Sequence, residues 1–190
     1  MTVTTTTTVP ALTDLTGTYT LDPAHTRIGF VARHAMVTKV RGSLDVFAGT
    51  AVLNGADPAA STATVTIKAA GINTRNAQRD EHLRSNDFLA MEDYPQITFV
   101  STAVETTGPT GFEVTGDLTI KGVTNSVAIP FEFEGAATDP FGNQRVGFEG
   151  SVVINRKDYG VTWNAALETG GVLVSDKITL EFEISAIKAA

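Results

Sequence analysis

Three histidines, His25, His34 and His82, are the first candidates for chemistry in this chain. Neutral imidazole is a common ligand of zinc, copper and nickel, and a β-barrel brings distant ligands together. The familiar metal-binding spacings are missing, since the sequence has no His-x-His, no His-Glu-x-x-His and no carboxylate cluster in phase with a histidine pair. Histidines that face a pocket or are hydrogen-bonded within the fold are therefore a better interpretation than metal ligands.

Nucleophilic and acid–base catalysis receive little support from the sequence. The chain has no cysteine and no Gly-x-Ser-x-Gly motif, so thiolate chemistry and a hydrolase nucleophile elbow are excluded. The carboxylate pairs Asp80/Glu81 and Glu132/Glu134 are typical of a solvated helix face and an outward strand face. Phosphate-binding glycine loops are also absent.

A cluster of basic residues is more informative. Arg75 and Arg79 stand four residues apart, where like charges on a helix repel each other unless an anion lies between them. Asp80 and Arg84 have the same spacing and opposite charge. The cluster predicts either a surface ion-pair network or the anion-facing rim of a pocket. A second basic and aromatic group, residues 156–159, follows a predicted strand.

The elements that must position these residues are β-strands. Thr, Val and Ile make up 58 of the 190 residues, and such β-branched side chains fit a pleated sheet better than a helix. From residue 18 onward the chain forms short alternating runs separated by Gly, Pro, Asn and Asp. The predicted strands are 18–21, 27–37, 43–53, 62–70, 96–104, 112–120, 127–133, 145–155 and 177–186.

Eight strands, or slightly more, joined mostly to their sequence neighbours, predict an all-β fold. We expect an eight-stranded antiparallel up-and-down barrel, with a sandwich as the alternative. One segment lacks alternation, and it predicts a short helical insertion at about 75–90, with a helix over 75–84 capped by Thr74. Residues 1–16, rich in threonine, are predicted to be a disordered tail, and 17–190 a single barrel domain.

Charge and hydropathy exclude two classes of partner. A net charge of -7 argues against nucleic-acid binding. The sequence contains no run of 18 apolar residues, so it predicts no transmembrane helix. Residues 1–9 do not have the pattern of a secretory signal, and we therefore expect a cytoplasmic protein.

Phenylalanines occupy the apolar phase of several predicted strands. This placement is typical of core packing, and in a barrel the same positions line the space for a ligand. His34 is in phase with Ile28 and Phe30, as a polar group in a ligand pocket would be. The phenylalanines in question are Phe30, Phe99, Phe131, Phe133, Phe148 and Phe182.

Several ordered segments carry a family resemblance. The Arg-Asp-x-His-Leu and Leu-Thr-Ile-x-Gly-Val-Thr stretches, at 79–83 and 118–124, are the most specific of them. The chain resembles the YceI-like proteins, a lipocalin-like group of barrels that bind polyisoprenoids or isoprenoid quinones. The matching segments are 19–30 with His34, 42–45, 71–74, 79–88, 94–99, 116–124 and 154–160.

The resemblance implies a barrel with an elongated apolar interior for a long isoprenoid tail and a helix near its mouth. The positions carried over are His34, Arg79, Asp80, His82, Phe88, Phe99, Arg156 and Tyr159. The tail is expected along Ile28, Phe30 and Phe99, and the head group near Arg79, His82 and Arg156. The sequence departs from the family pattern at Tyr19, where many relatives have tryptophan, and in lacking the export signal that many relatives have.

The resemblance and the residues together predict a non-catalytic protein that binds, sequesters or transports an isoprenoid lipid or quinone. We expect no required cofactor. The expected partner is the isoprenoid lipid or quinone itself, and a homodimer is one oligomeric state open to the protein. One alternative is an enzyme or redox module that acts on an isoprenoid quinone through His34 or His82. Another is a scaffold whose interior is filled by its own phenylalanines.

Overall fold

The computed structural model describes residues 11–190, which form one antiparallel sheet closed into a barrel, with one α-helix outside it. Met1 to Pro10, and with them most of the predicted tail, lie outside the described residues. The elements are β1 Gly17–Leu21, β2 Arg27–His34, β3 Thr38–Leu44, β4 Phe47–Leu53, β5 Thr62–Lys68, β6 Ile72–Asn73, α1 Ala77–Arg84, β7 Gln96–Thr106, β8 Gly111–Ile120, β9 Val123–Thr138, β10 Gln144–Asn155 and β11 Lys177–Lys188.

These eleven segments amount to eight barrel strands, because three strands are interrupted. β1 and β2 both pair with β11, at Ala186–Lys188 and at Thr179–Glu183 respectively. β3 continues into β4, and β5 into β6, across breaks at the same level of the barrel. The ring β1-β4-β5-β7-β8-β9-β10-β11 closes through the β1–β11 pairing, so the predicted up-and-down barrel is confirmed.

β6, which continues β5, does not pair with β7, so one edge of the barrel wall has no strand partner there. An unpaired strand edge leaves backbone carbonyls without donors. Arg84, on α1, donates from Nε to the Ala70 carbonyl and from Nη2 to the Ile72 carbonyl, both at 3.0 Å. The helical insertion therefore substitutes for a neighbouring strand at this edge.

The helix begins later than the sequence predicts. Asn76, in extended conformation, is the N-cap, and its side chain accepts a hydrogen bond from the Arg79 amide at 3.0 Å. Thr74, the predicted cap, is buried and has another role. The prediction was wrong because Arg75 takes a left-handed conformation, with φ of 61°, which separates Thr74 from the first helical turn.

The strand boundaries also differ at the first two hairpins. The predicted strand 27–37 ends at His34, since Ala35 and Met36 both have positive φ and form the turn. The predicted strand 43–53 is broken between Leu44 and Phe47, and its missing first part, 38–42, belongs to β3.

Part of the predicted disordered tail is folded. Leu12–Leu15 form a 3₁₀-helix, here called the strap, and Leu15 is buried. The strap lies at the same end of the barrel as loops 54–61, 107–110 and 139–143; we call this the strap end. The opposite end, the helix end, has α1 and loop 156–176.

No helix among residues 11–190 is long and apolar enough to cross a membrane.

An apolar cavity in the barrel

The barrel interior contains a cavity of about 250 Å³, lined by side chains from every strand of the ring. None of the lining residues, among those that the structure describes, is charged. Among residues 11–190, the polar residues that line it are Thr50, Asn54, Ser61, Thr62 and Tyr19. An uncharged cavity of this kind favours apolar ligands, since bringing an unpaired charge into it costs several kcal/mol.

The aromatic residues shape the cavity without filling it. Phe131 and Phe182 pack with ring centroids 5.8 Å apart, and Phe133 and Phe148 at 5.4 Å, all four along the cavity wall. Phe99, also on the wall, lies over Gly116, where an added Cβ would stand 2.7 Å from its Cε2 atom. The alternative in which phenylalanines occupy the whole interior is therefore wrong.

The strap closes one end of the cavity. Leu12 and Leu15 both line it. The buried Tyr19 hydroxyl donates to the Leu15 carbonyl at 2.9 Å, which attaches the strap to β1, and burial raises the Tyr19 pKa. The Gly55 amide donates to the Thr16 hydroxyl at 3.0 Å, which attaches the end of the strap to loop 54–61.

Two polar side chains sit at the rim beneath the strap. Asn54 Oδ1 accepts from the amides of Ala56 and Asp57, at 3.2 and 3.0 Å, and so fixes the loop. Ser61 Oγ accepts from the Asn54 amide at 2.9 Å. The Asn54-Gly55 pair, which is a strong turn signal in the sequence, thus both ends β4 and forms the rim.

The apolar site residues predicted from the sequence divide into two groups. Ile28 and Phe99 line the cavity. Phe30 packs against the core beside it, over Gly42. Phe88 is buried at the helix end and does not line the cavity.

Arg79 and Asp80 both form hydrogen bonds with Thr74. The Asp80 carboxylate accepts from the Thr74 amide at 2.8 Å and from its hydroxyl at 2.5 Å. The Arg79 guanidinium donates from Nε to the Thr74 hydroxyl, at 2.8 Å, and from Nη2 to the Thr74 carbonyl, at 2.9 Å. These contacts attach α1 to the end of β6. Within residues 11–190, Arg75, Arg79 and Arg84 form no ion pair with a carboxylate, and none of them lines the cavity, so neither the predicted network nor the predicted rim is found.

His82 and His34 both lie away from the cavity. His82 Nε2 is 2.8 Å from the Asp87 carboxylate, and the ring packs edge-on against Phe88 and Trp163. His34, at the tip of β2, is exposed and pairs with Thr38. Within residues 11–190 no three His, Asp or Glu side chains are grouped to hold a metal ion.

Arg156 and Tyr159 form part of the helix end. Arg156 is 5 % exposed, and its guanidinium donates to the carbonyls of Ser175, Val161 and Trp163 at 2.8 to 2.9 Å. Burial lowers the Arg156 pKa, and Asp176, 3.6 Å away, opposes this effect. Burial raises the pKa of Tyr159, whose hydroxyl has no hydrogen-bond partner among the described residues. These side chains hold loop 156–176 against the barrel.

The sequence did not indicate that the strap, Tyr19 and the Asn54 rim belong to the site. In the sequence, Tyr19 is one residue of the predicted strand 18–21, and it stands where many relatives have tryptophan; neither fact indicates a role in the site. Leu12 and Leu15 follow a threonine-rich segment with no periodicity, so no signal in the sequence connects them with the cavity.

A closed eight-stranded antiparallel barrel around an uncharged cavity defines a protein of the lipocalin-like type. The sequence profile of the YceI-like domain matches residues 19–186, and the chain belongs to this family. A UPF0312 protein of Staphylococcus aureus strain MSSA476 is 41 % identical over 169 residues, which are 88 % of this chain and 95 % of that protein.

Solved structures share the fold. The crystal structure of Burkholderia cenocepacia BcnA has a TM-score of 0.76 and 25 % identity, covering 87 % of this chain and 98 % of that one. A polyisoprenoid binding domain from Saccharophagus degradans, implicated in plant cell wall breakdown, has a TM-score of 0.68 at 15 % identity. It covers 90 % of this chain and 98 % of its own, and at that identity the similarity concerns the fold alone.

Proposed function

We propose that this protein binds a long isoprenoid lipid, with the apolar chain inside the barrel, and so sequesters or transports it. The observation that carries this proposal is the uncharged cavity that all strands of the ring line. Each CH₂ group that leaves water for such a space contributes about 0.8 kcal/mol. The family membership and the polyisoprenoid-binding name of the Saccharophagus degradans domain support the same ligand class.

Mass spectrometry of an organic extract of the purified protein tests the proposal. We expect a stoichiometric lipid, or, for protein that loses its ligand on purification, stabilisation by an added isoprenoid. Repeated absence of lipid together with no rise in the unfolding temperature on addition of quinone, polyprenol or polyprenyl phosphate would contradict it.

A matched pair of variants locates the ligand. Val65 lines the cavity from β5, whereas Val100, on the adjacent strand β7, faces outward and is 47 % exposed. We expect Val65→Trp to fill the cavity and reduce lipid uptake at least tenfold, and Val100→Trp to leave uptake unchanged. Circular dichroism must show both variants folded, since overpacking costs roughly 1–3 kcal/mol; Ala63→Leu is a milder variant of the same design.

We further propose that the protein acts without catalysis and without a required cofactor. The alternative, a redox or enzymatic module, needs His34 or His82 near the lipid, and neither lines the cavity. A His82→Ala variant that lost a measurable turnover of an isoprenoid quinone would favour that alternative. A cytoplasmic location and a homodimer stay predictions, to be checked by cell fractionation and by sedimentation velocity.

A further inference from the structure

We propose that the strap-end rim, Asn54 and Ser61, holds the polar end of the ligand, and that this end is an uncharged carbonyl or hydroxyl group. The inference rests on the proposed function and names the chemical class of its ligand. It also assigns a head-group site at the opposite end of the barrel from the one that the sequence analysis expected.

The deep part of the cavity has no place for a polar group. Toward the helix end the described part of the wall consists of apolar side chains, among them Ile97, Phe99 and Leu118. A buried carbonyl or hydroxyl without a hydrogen-bond partner costs roughly 1–3 kcal/mol. The chain therefore enters with its apolar end first, and its polar end remains at the strap end.

The rim offers donors that the protein itself does not use. Asn54 Oδ1 is occupied by two backbone amides, which fixes the side chain. Its Nδ2 group has no acceptor within hydrogen-bond distance among residues 11–190, and neither has the Ser61 hydroxyl proton. An amide and a hydroxyl donor at the edge of an apolar cavity suit one neutral acceptor oxygen.

Charge at the two ends argues against a phosphate. At the helix end, the Arg79, Arg84 and Arg156 guanidinium groups are bound to backbone carbonyls. At the strap end, the exposed Asp14 and Asp57 flank the rim, and an anion is repelled by them. Two cations of the strap end are Lys188, whose side chain crosses Gly17, and Arg145, whose guanidinium is bound to Asp22 and Asp139; neither lines the cavity.

Farnesol and farnesyl phosphate test the inference directly, because they share one isoprenoid chain and differ only in head group. Their affinities are measured by displacement of a neutral fluorescent probe from the full-length protein. We expect farnesol to bind at least tenfold more tightly. Equal or tighter binding of farnesyl phosphate would overturn the inference, whereas failure of both ligands to displace the probe would contradict the proposed function itself.

Variants then test the assignment of the rim. Asn54→Asp keeps the oxygen that caps the loop and removes the Nδ2 donor, so farnesol affinity should fall about threefold to tenfold. Gln144→Glu is the matched control, because it makes the same chemical change at an exposed strap-end position outside the cavity, and it should leave affinity unchanged. Equal affinities of the two variants would overturn the role of Asn54. Loss of tight farnesyl phosphate binding in Lys188→Met would instead establish an anion site.

Discussion

Gly55 lies against the backbone of Leu12 so closely that any Cβ at position 55 would overlap the Leu12 carbonyl group. Leu12 belongs to the strap and lines the cavity, and Gly55 belongs to loop 54–61. The absence of a side chain at one residue therefore allows the strap to close the cavity.

Gly55→Ala is expected to displace the strap and to open the cavity. Because the added methyl group cannot fit without a shift of the strap backbone, an apolar probe should dissociate several times faster than from the unchanged protein. Stopped-flow fluorescence with a neutral naphthylamine probe measures the rate. Gly108→Ala is the control, since Gly108 lies at the same end and no atom of the described residues is within 4 Å of the added Cβ. Equal dissociation rates in the two variants would show that the strap does not limit release.

Arg156→Met is expected to destabilise the protein strongly. The substitution leaves the carbonyls of Val161 and Trp163 without their donor, in a region where Arg156 itself is 5 % exposed. Each buried carbonyl that is left without a donor costs roughly 1–3 kcal/mol. Urea denaturation followed by circular dichroism gives the free energy of unfolding.

Asp176→Asn is the control for the Arg156 prediction, because the Asp176 side chain is 40 % exposed and its ion pairs should contribute about 1 kcal/mol or less. A stable Arg156→Met variant with weakened lipid binding would show that Arg156 serves the ligand and not the fold.

The stability of the protein is expected to fall in acid between about pH 4 and pH 2. Asp22 accepts from Arg145 Nη1 at 2.6 Å and lies 2.7 Å from His25 Nδ1. The hydrogen bond from Arg145, and then that from His25, lowers the Asp22 pKa from 3.8 to about 2. Because the unfolded chain binds this proton more readily, the stabilisation is complete above the unfolded pKa and is lost as the pH falls through the folded pKa.

Urea denaturation at a series of pH values from 7 to 2 checks this dependence. Asp22→Asn should be less stable at pH 7 and should lose less stability on acidification than the unchanged protein. Asp117→Asn, at an exposed position on β8, is the comparison that should keep the original slope. Parallel curves for Asp22→Asn and the unchanged protein would contradict the role of Asp22.

Glu149→Gln is expected to stabilise the barrel slightly. Glu149 pairs in register with Glu132 on β9 and with Glu183 on β11, and all three are exposed. Like charges directly opposite on neighbouring strands are destabilising, by an amount of about 0.2–1 kcal/mol. Thermal unfolding at low and high salt measures the gain, which should shrink at 1 M salt because the repulsion is then screened. An equal gain at both salt concentrations would point to another cause.

The strands could be predicted from the sequence because a period of two residues is a local property. β8 and β10 begin within one residue of the predicted positions, and Phe99 and Ile28 line the cavity as their phase indicated. The predicted helix starts two residues before the observed one, and its N-cap is Asn76 and not the predicted Thr74.

The roles of the arginines could not be predicted in the same way. A sequence shows that Arg84 and Arg156 are cations, but their partners are carbonyls of other segments, such as Ile72 and Trp163. The Ile72 carbonyl lies at the unpaired edge of β6, and the Trp163 carbonyl lies in loop 156–176, so neither has a strand partner. The guanidinium groups of Arg84 and Arg156 thus stabilise the fold and are not free to bind an anion.

The sequence by itself determined the class of fold, which strand residues face the interior, and the family. Alternation, turn residues and motifs are local patterns that can be read from neighbouring residues. The tertiary structure alone decided which end of the barrel is polar and which side chains are available to a ligand. The physical reason is that the donors of Arg84 and Arg156 are taken up by the carbonyls of Ala70 and Ser175, which are 14 and 19 residues away in the chain and lie beside them only in the folded barrel.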